Sequence, residues 1–198
     1  LNASPSSARL EAQFAFLIEA DRLKQVFRAT TLADGSRREN SGEHSWHLTL
    51  YALVLADQAG QNVDINRVIR MLILHDLVEI DAGDTPIHGP QDSAAQAKAE
   101  LVAADRIFGL LPTDLATDLR GLWEEFEAAE TPDAVFAKSL DRVQPVVQNL
   151  QCGGGTWTSY NVTAEQLETR VGQKVARGAP LLWDHVRART RAYFSKSE

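Results

Sequence analysis

This 198-residue chain is short of cysteine, of positive charge, of long apolar runs and of strand patterns. A single cysteine, Cys152, excludes a disulfide framework or a zinc–thiolate site within the chain. The simplest expectation from it is a reducing, cytoplasmic setting. No run approaches the roughly 18 apolar residues that a membrane-spanning helix needs. Lys and Arg number 20 against 27 Asp and Glu, a formal net charge of -7, so a nucleic-acid surface is not expected. That balance still leaves room for a small phosphorylated ligand, because two or three arginines are enough to hold one phosphate. The first residues, Leu1 to Ser7, lack a basic start, an apolar region and a methionine, and read as a disordered or trimmed N-terminal segment, not a signal peptide. With 44% hydrophobic residues, positions 8–198 suffice for one domain with a core of its own.

What is present is helical periodicity. Leu10, Phe14, Leu17, Ile18, Leu23, Val26 and Phe27 recur at helical spacing over residues 8–28. Residues 30–40 are polar, with Gly35 and the pair Arg37 and Arg38, and read as a loop. Ser41 is the expected N-cap of a helix running to about residue 59, with His44, Leu48, Tyr51 and Leu55 inward. Asp64 caps a central helix. Residues 81–90, with Gly83, Pro86, Gly89 and Pro90, must be irregular. Helices are expected over residues 91–109, with Leu101, Val102, Ile107 and Phe108 apolar, and over residues 112–129. Another follows Thr131 and Pro132, a cap followed by proline at the first helical position. Gly153 to Gly155 reads as a flexible connection, Thr163 and Gln166 as a capping box, and Pro180 as the start of the last helix. The expected fold is all-α, a single-domain helical bundle.

Polar residues interrupt the apolar faces in a few places. Ile65, Val68, Ile69 and Leu72 form a buried stripe at i, i+3, i+4 and i+7, and its continuation is His75, Asp76 and Glu79. A buried carboxylate needs a proton, a cation or a metal to offset its desolvation. His44 lies on the apolar face of its helix, Asp141 interrupts another, and Asp84 stands where the turn after the central helix opens. Pro145 cannot donate to the Asp141 carbonyl, which loosens that helix. Two imidazoles with two carboxylates suit a borderline divalent metal such as Mn, Co, Fe, Ni or Zn.

The order His44, His75–Asp76, Asp141 resembles the His…His-Asp…Asp signature of the HD-domain metal-dependent phosphohydrolases. The flanks match as well: Arg38 to His44, His75 to Glu79 with Gly83 and Asp84, Leu122 to Phe126, Leu140–Asp141, and Gly153 to Trp157. These resemble the branch of bacterial 5′-deoxynucleotidases and their eukaryotic HD-containing relatives. The resemblance implies an HD-domain (PDEase-like) helical bundle over residues 8–198, often a homodimer, that hydrolyses nucleoside 5′-monophosphates with one divalent transition metal per chain. It implies His44, His75, Asp76 and Asp141 as metal ligands, and Glu79 and Asp84 as catalytic acids near the water and phosphate. It sets Arg28 where the family has a phosphate-contacting arginine, although the tryptophan usual after it is Ala29 here.

His88, in the loop beside the site, is a candidate substrate contact, whereas His47 reads as a packing or hydrogen-bonding residue and His185 as a surface or core residue of the last helix. Three alternatives stand beside this reading. One is an iron-dependent HD oxygenase, which uses two metals and needs more histidines than the single His88 that lies between Asp76 and Asp141. The others are a metal-binding regulatory module without turnover, and a phosphatase for another small phosphate ester.

Overall fold

The computed structural model describes residues 7–90 and 92–196. The expected N-terminal segment falls outside these residues except for Ser7, which already begins the first helix. The elements in order are α1 (Ser7–Ala20), β1 (Phe27–Thr31), β2 (Arg38–Asn40), α2 (Ser41–Val54), α3 (Ile65–Leu74), α4 (Glu79–Ala82) and α5 (Ser93–Phe108). They continue with α6 (Thr113–Ala128), α7 (Pro132–Gln151), α8 (Thr156–Ser159), α9 (Ala164–Leu167), α10 (Gln173–Gly178) and α11 (Pro180–Phe194). The all-helical expectation holds apart from one small antiparallel ribbon. No helix among the described residues is long and apolar enough to cross a membrane.

The ribbon corrects the sequence reading at residues 21–40. The first helix stops at Ala20, a 3-10 turn covers Asp21–Gln25, and the β-branched and aromatic run around Val26 and Phe27 extends instead of coiling. Gly35, at φ 71°, turns the chain back, and β1 pairs with β2 as Phe27 with Asn40 and Thr31 with Arg38, with an irregularity between. Strand pairing was not legible because β2 is only three residues long and charged. The bent ribbon carries Arg28 and Glu39.

Asn40, not Ser41, caps α2. Its side chain accepts from Glu43 N at 2.9 Å while the Glu43 carboxylate accepts from Asn40 N at 2.8 Å, a capping box that leaves the Ser41 hydroxyl for other work. Asp64 caps α3 as expected, accepting from Asn66 N. Val68, Met71 and Leu72 on α3 are fully buried, about 1.5–3 kcal/mol of transfer free energy each. The helix then tightens earlier than its periodicity suggests. His75 N still reaches Met71 O, but Leu77 N bonds Leu74 O and Glu79 N bonds Asp76 O, a three-residue step.

α7 runs between two apolar clusters. Phe136 and Leu140 belong to one, with Leu48, Leu72, Phe108 and Phe126. Val143 and Val146 belong to the other, with Trp157, Val175 and Trp183. Asp141 therefore sits on the seam between the two cores. Leu101 and Val102 are not core residues: α5 turns them outward and buries Ala103, Ala104, Ile107 and Phe108. The stretch Gly153 to Gly155 is not a loose connection either. All three have positive φ, and a Cβ on Gly155 would lie 2.3 Å from Asn149 Oδ1. That contact belongs to an Asx-like closure in which Thr156 N donates to Asn149 Oδ1.

Candidate metal centre

α2, the turn after α3, and α7 bring His44, His75 and Asp141 together. One ligating atom from each lies within 4.8 Å of the others, and all three residues are buried. Asp141 Oδ1 is 3.2 Å from His44 Nε2 and 3.8 Å from His75 Nε2. Both imidazoles are oriented from behind. His75 Nδ1 stands 2.9 Å from the Leu72 carbonyl, which can only accept, so Nδ1 carries a proton and Nε2 faces the cluster. His75 Nε2 is buried without a hydrogen-bond partner. His44 Nδ1 is 3.2 Å from Glu39 Oε2, a close contact outside hydrogen-bonding angles.

Asp76 faces two ways. Oδ1 lies 2.9 Å from His75 Nε2, and Oδ2 accepts from the Arg28 guanidinium at 2.8 Å. It can thus lend Oδ1 to a cation and keep Arg28 on Oδ2. Arg28 also approaches Asp84 at 3.8 Å, Glu79 at 3.9 Å and Glu39 at 3.8 Å. Burial alone would depress its pKa, but Asp76, Glu79 and Asp84 together hold it above its ordinary value. The same balance acts on His75. Burial lowers its pKa, and Asp76 and Asp141 more than offset this, pushing it up to about 10. Asp141 is held well below the usual carboxylate range, against its burial, by His44 and His75. Imidazole nitrogens and a carboxylate oxygen converge within ligating reach of one point, with His75 Nε2 buried and without a hydrogen-bond partner, and a divalent cation takes these same N and O donors. The donor set therefore fits a divalent metal.

Two acids flank the donors. Glu79 Oε2 accepts from the Ser41 hydroxyl at 2.6 Å, and burial first and Asp76 second raise its pKa well above the carboxylate range. Asp84 Oδ2 accepts from Ala29 N at 3.3 Å, and burial raises its pKa as well. His88 lies apart from this group, in an adjoining pocket with Ile87, Pro145, Trp157 and Tyr160. Burial, ahead of Arg170 and Arg142, lowers its pKa to about 4, and its Nδ1 is buried without a partner. His47 packs edge-on against Tyr51 and approaches Gln144.

The sequence reading passed over Glu39, which is 1% exposed. Its Oε1 accepts from Gln144 Nε2 at 2.8 Å and from Gln148 Nε2 at 2.9 Å. Two glutamines four apart, set among Val143, Val146 and Val147, were the available signal, since buried amides need an acceptor.

An HD domain family model matches residues 20–183. A solved structure described as a predicted metal-dependent phosphohydrolase from Magnetospirillum magnetotacticum is 44% identical, with a TM-score of 0.91, covering 96% of this chain and 98% of that one. The 5′-deoxynucleotidase HDDC2 of Homo sapiens is 30% identical over 73% of this chain and 69% of its own length. That of Xenopus laevis is 30% identical over 57% of this chain, a match spanning little more than half, 55%, of the relative's length.

Proposed function

The chain belongs to the HD domain family, and on that footing we propose that it is a divalent-metal-dependent phosphomonoester hydrolase that removes the 5′-phosphate of (deoxy)nucleoside monophosphates. One observation carries the reading: two partly buried acids, Glu79 and Asp84, stand beside the His44–His75–Asp141 donor cluster and its neighbour Asp76. A regulatory metal site would have no use for either. The names of the deoxynucleotidase relatives support the substrate class.

His44, His75, Asp76 and Asp141 would hold one metal per chain, from the Mn, Co, Fe, Ni and Zn group that suits imidazole with carboxylate. When bound, the metal supplies Lewis acidity, polarising a phosphoryl oxygen and acidifying water. Glu79, which lines the same cleft as His75, Asp76 and Asp141, takes the proton of the attacking water. Ser41 fixes the direction of its carboxyl. Asp84, tethered by Ala29 N, holds the water or returns a proton to the leaving 5′-oxygen. The pocket of Ile87, His88, Trp157 and Tyr160 takes the nucleoside, and neutral His88 offers its free Nδ1 to it.

A turnover screen of the purified chain against all nucleoside monophosphates, with each of these metals, tests the reading. Bound metal without release of phosphate from any of them would refute it. The homodimer and the cytoplasmic setting belong to the same proposal, the first resting on the family resemblance and checked by sedimentation.

A further inference from the structure

The first helix is inside out. Leu10, Phe14, Leu17 and Ile18 fall at i, i+4, i+7 and i+8, the spacing of a stripe that a surface helix buries. In α1 this stripe faces away from the core, and the four side chains are 43%, 60%, 59% and 72% exposed. What α1 sets inward is Phe16, stacked on Phe108, with half-buried Ala12 and Ala20 one turn to either side. The described residues thus leave the more apolar side of the helix to solvent.

A groove runs beside this ridge. Leu10, Phe14 and Leu17 form one wall of it, and Leu111, Leu115 and Leu119, before and along α6, form the other. A face that carries a ridge and a groove side by side is complementary to itself, because a twofold axis lays the ridge of each copy into the groove of the other. Phe14, in the middle of the stripe, then lies near that axis. Charge does not oppose the contact. Two chains of formal charge -7 repel each other at large, but the ionic groups at the ends of the stripe are already paired within the chain. Arg9 donates to Asp114 at 2.8 Å at one end, and Arg106 donates to Glu19 at 2.7 Å at the other. Glu11 is the one other carboxylate on α1. A lipid surface fits less well, since an interfacial helix has a polar face rich in Lys and Arg, and Arg9, the single cation of α1, is committed to Asp114. The four exposed side chains offer roughly 400–500 Å² on each copy, or about 800–1,000 Å² for a pair, and the α6 walls of the two grooves bring this to the ~1,200 Å² of a small stable interface.

We infer that the α1–α6 face is the contact between two copies of this chain, an isologous seam built from α1 and α6 of each. The inference rests on the homodimer proposed above, to which it gives a surface, and is independent of the hydrolase reading.

The test is sedimentation equilibrium of the full chain over a wide range of concentration. The wild type should be a dimer. Phe14→Lys and Ile18→Lys should each weaken association about a hundredfold or more, with helix content unchanged by circular dichroism. Mixing Phe14→Lys chains with Phe14→Glu chains should restore a dimer, since the two charges meet near the axis. Leu53→Lys, at an exposed apolar position of α2, should associate like the wild type. A wild type that stays monomeric at every concentration overturns the inference and the homodimer together. A dimer that survives both α1 variants, or that is lost only in Leu53→Lys, overturns the inference alone and moves the homodimer to another face. If Phe14→Lys does not fold, Ile18→Lys, at the most exposed position of the stripe, decides by the same criteria.

Discussion

Replacing Glu39 tests the centre from behind. Its carboxylate accepts two buried amide N–H groups, from Gln144 and Gln148, and lies 3.2 Å from His44 Nδ1. Glu39→Ala leaves both amides without an acceptor. Each orphaned buried donor costs about 1–3 kcal/mol, so the loss is about 2–6 kcal/mol out of a typical total of about 5–15. Glu39→Gln is the informative variant. It keeps the shape and an accepting oxygen, so stability should fall by only about 1–2 kcal/mol as two charge-assisted bonds become neutral ones. The negative charge 3.2 Å behind His44 Nδ1 is gone, however, and with it the favourable field on an imidazole that shares its charge with a cation. Loss of such an orienting partner lowers metal affinity about 10–100-fold. Denaturant unfolding of the metal-free variants and competitive chelator titration of the metal measure the two effects separately. Metal affinity in Glu39→Gln within twofold of wild type would refute a role for the Glu39 charge behind His44.

Three further expectations follow from the same geometry. Asp141→Ala removes the oxygen shared by both imidazoles and should abolish metal binding; full occupancy by elemental analysis would show the ligand assignment to be wrong. Glu79→Ala should retain metal and nucleotide binding while the rate of monophosphate hydrolysis drops about 10²–10⁴-fold; a metal-loaded variant with a near-normal rate would pass the role to Asp84. His88 has a folded pKa of about 4, below an unfolded value of about 6.5, so between those limits the unfolded chain binds more protons and stability falls as the pH falls. Melting temperatures across that window should decline less steeply in His88→Gln, and identical slopes would mean that His88 does not titrate as its burial implies.

Sequence alone determined the helical class, because the apolar spacing of α3, α6 and α7 and the caps at Asp64, Thr131 and Thr163 are local features. It also singled out His44, His75, Asp76 and Asp141, since each places a polar group where hydrocarbon was due. Only tertiary structure decided the rest. The ribbon of β1 and β2 depends on pairing across a turn, and the strands are too short to announce it by periodicity. Glu39 is one charged residue in a charged run, and its importance exists only once α7 sets Gln144 and Gln148 against it. The same holds for Arg28, which is surrounded by carboxylates from β2, α4 and the turns around it. Charge compensation is a property of distances between segments far apart in the chain, so no local pattern carries it.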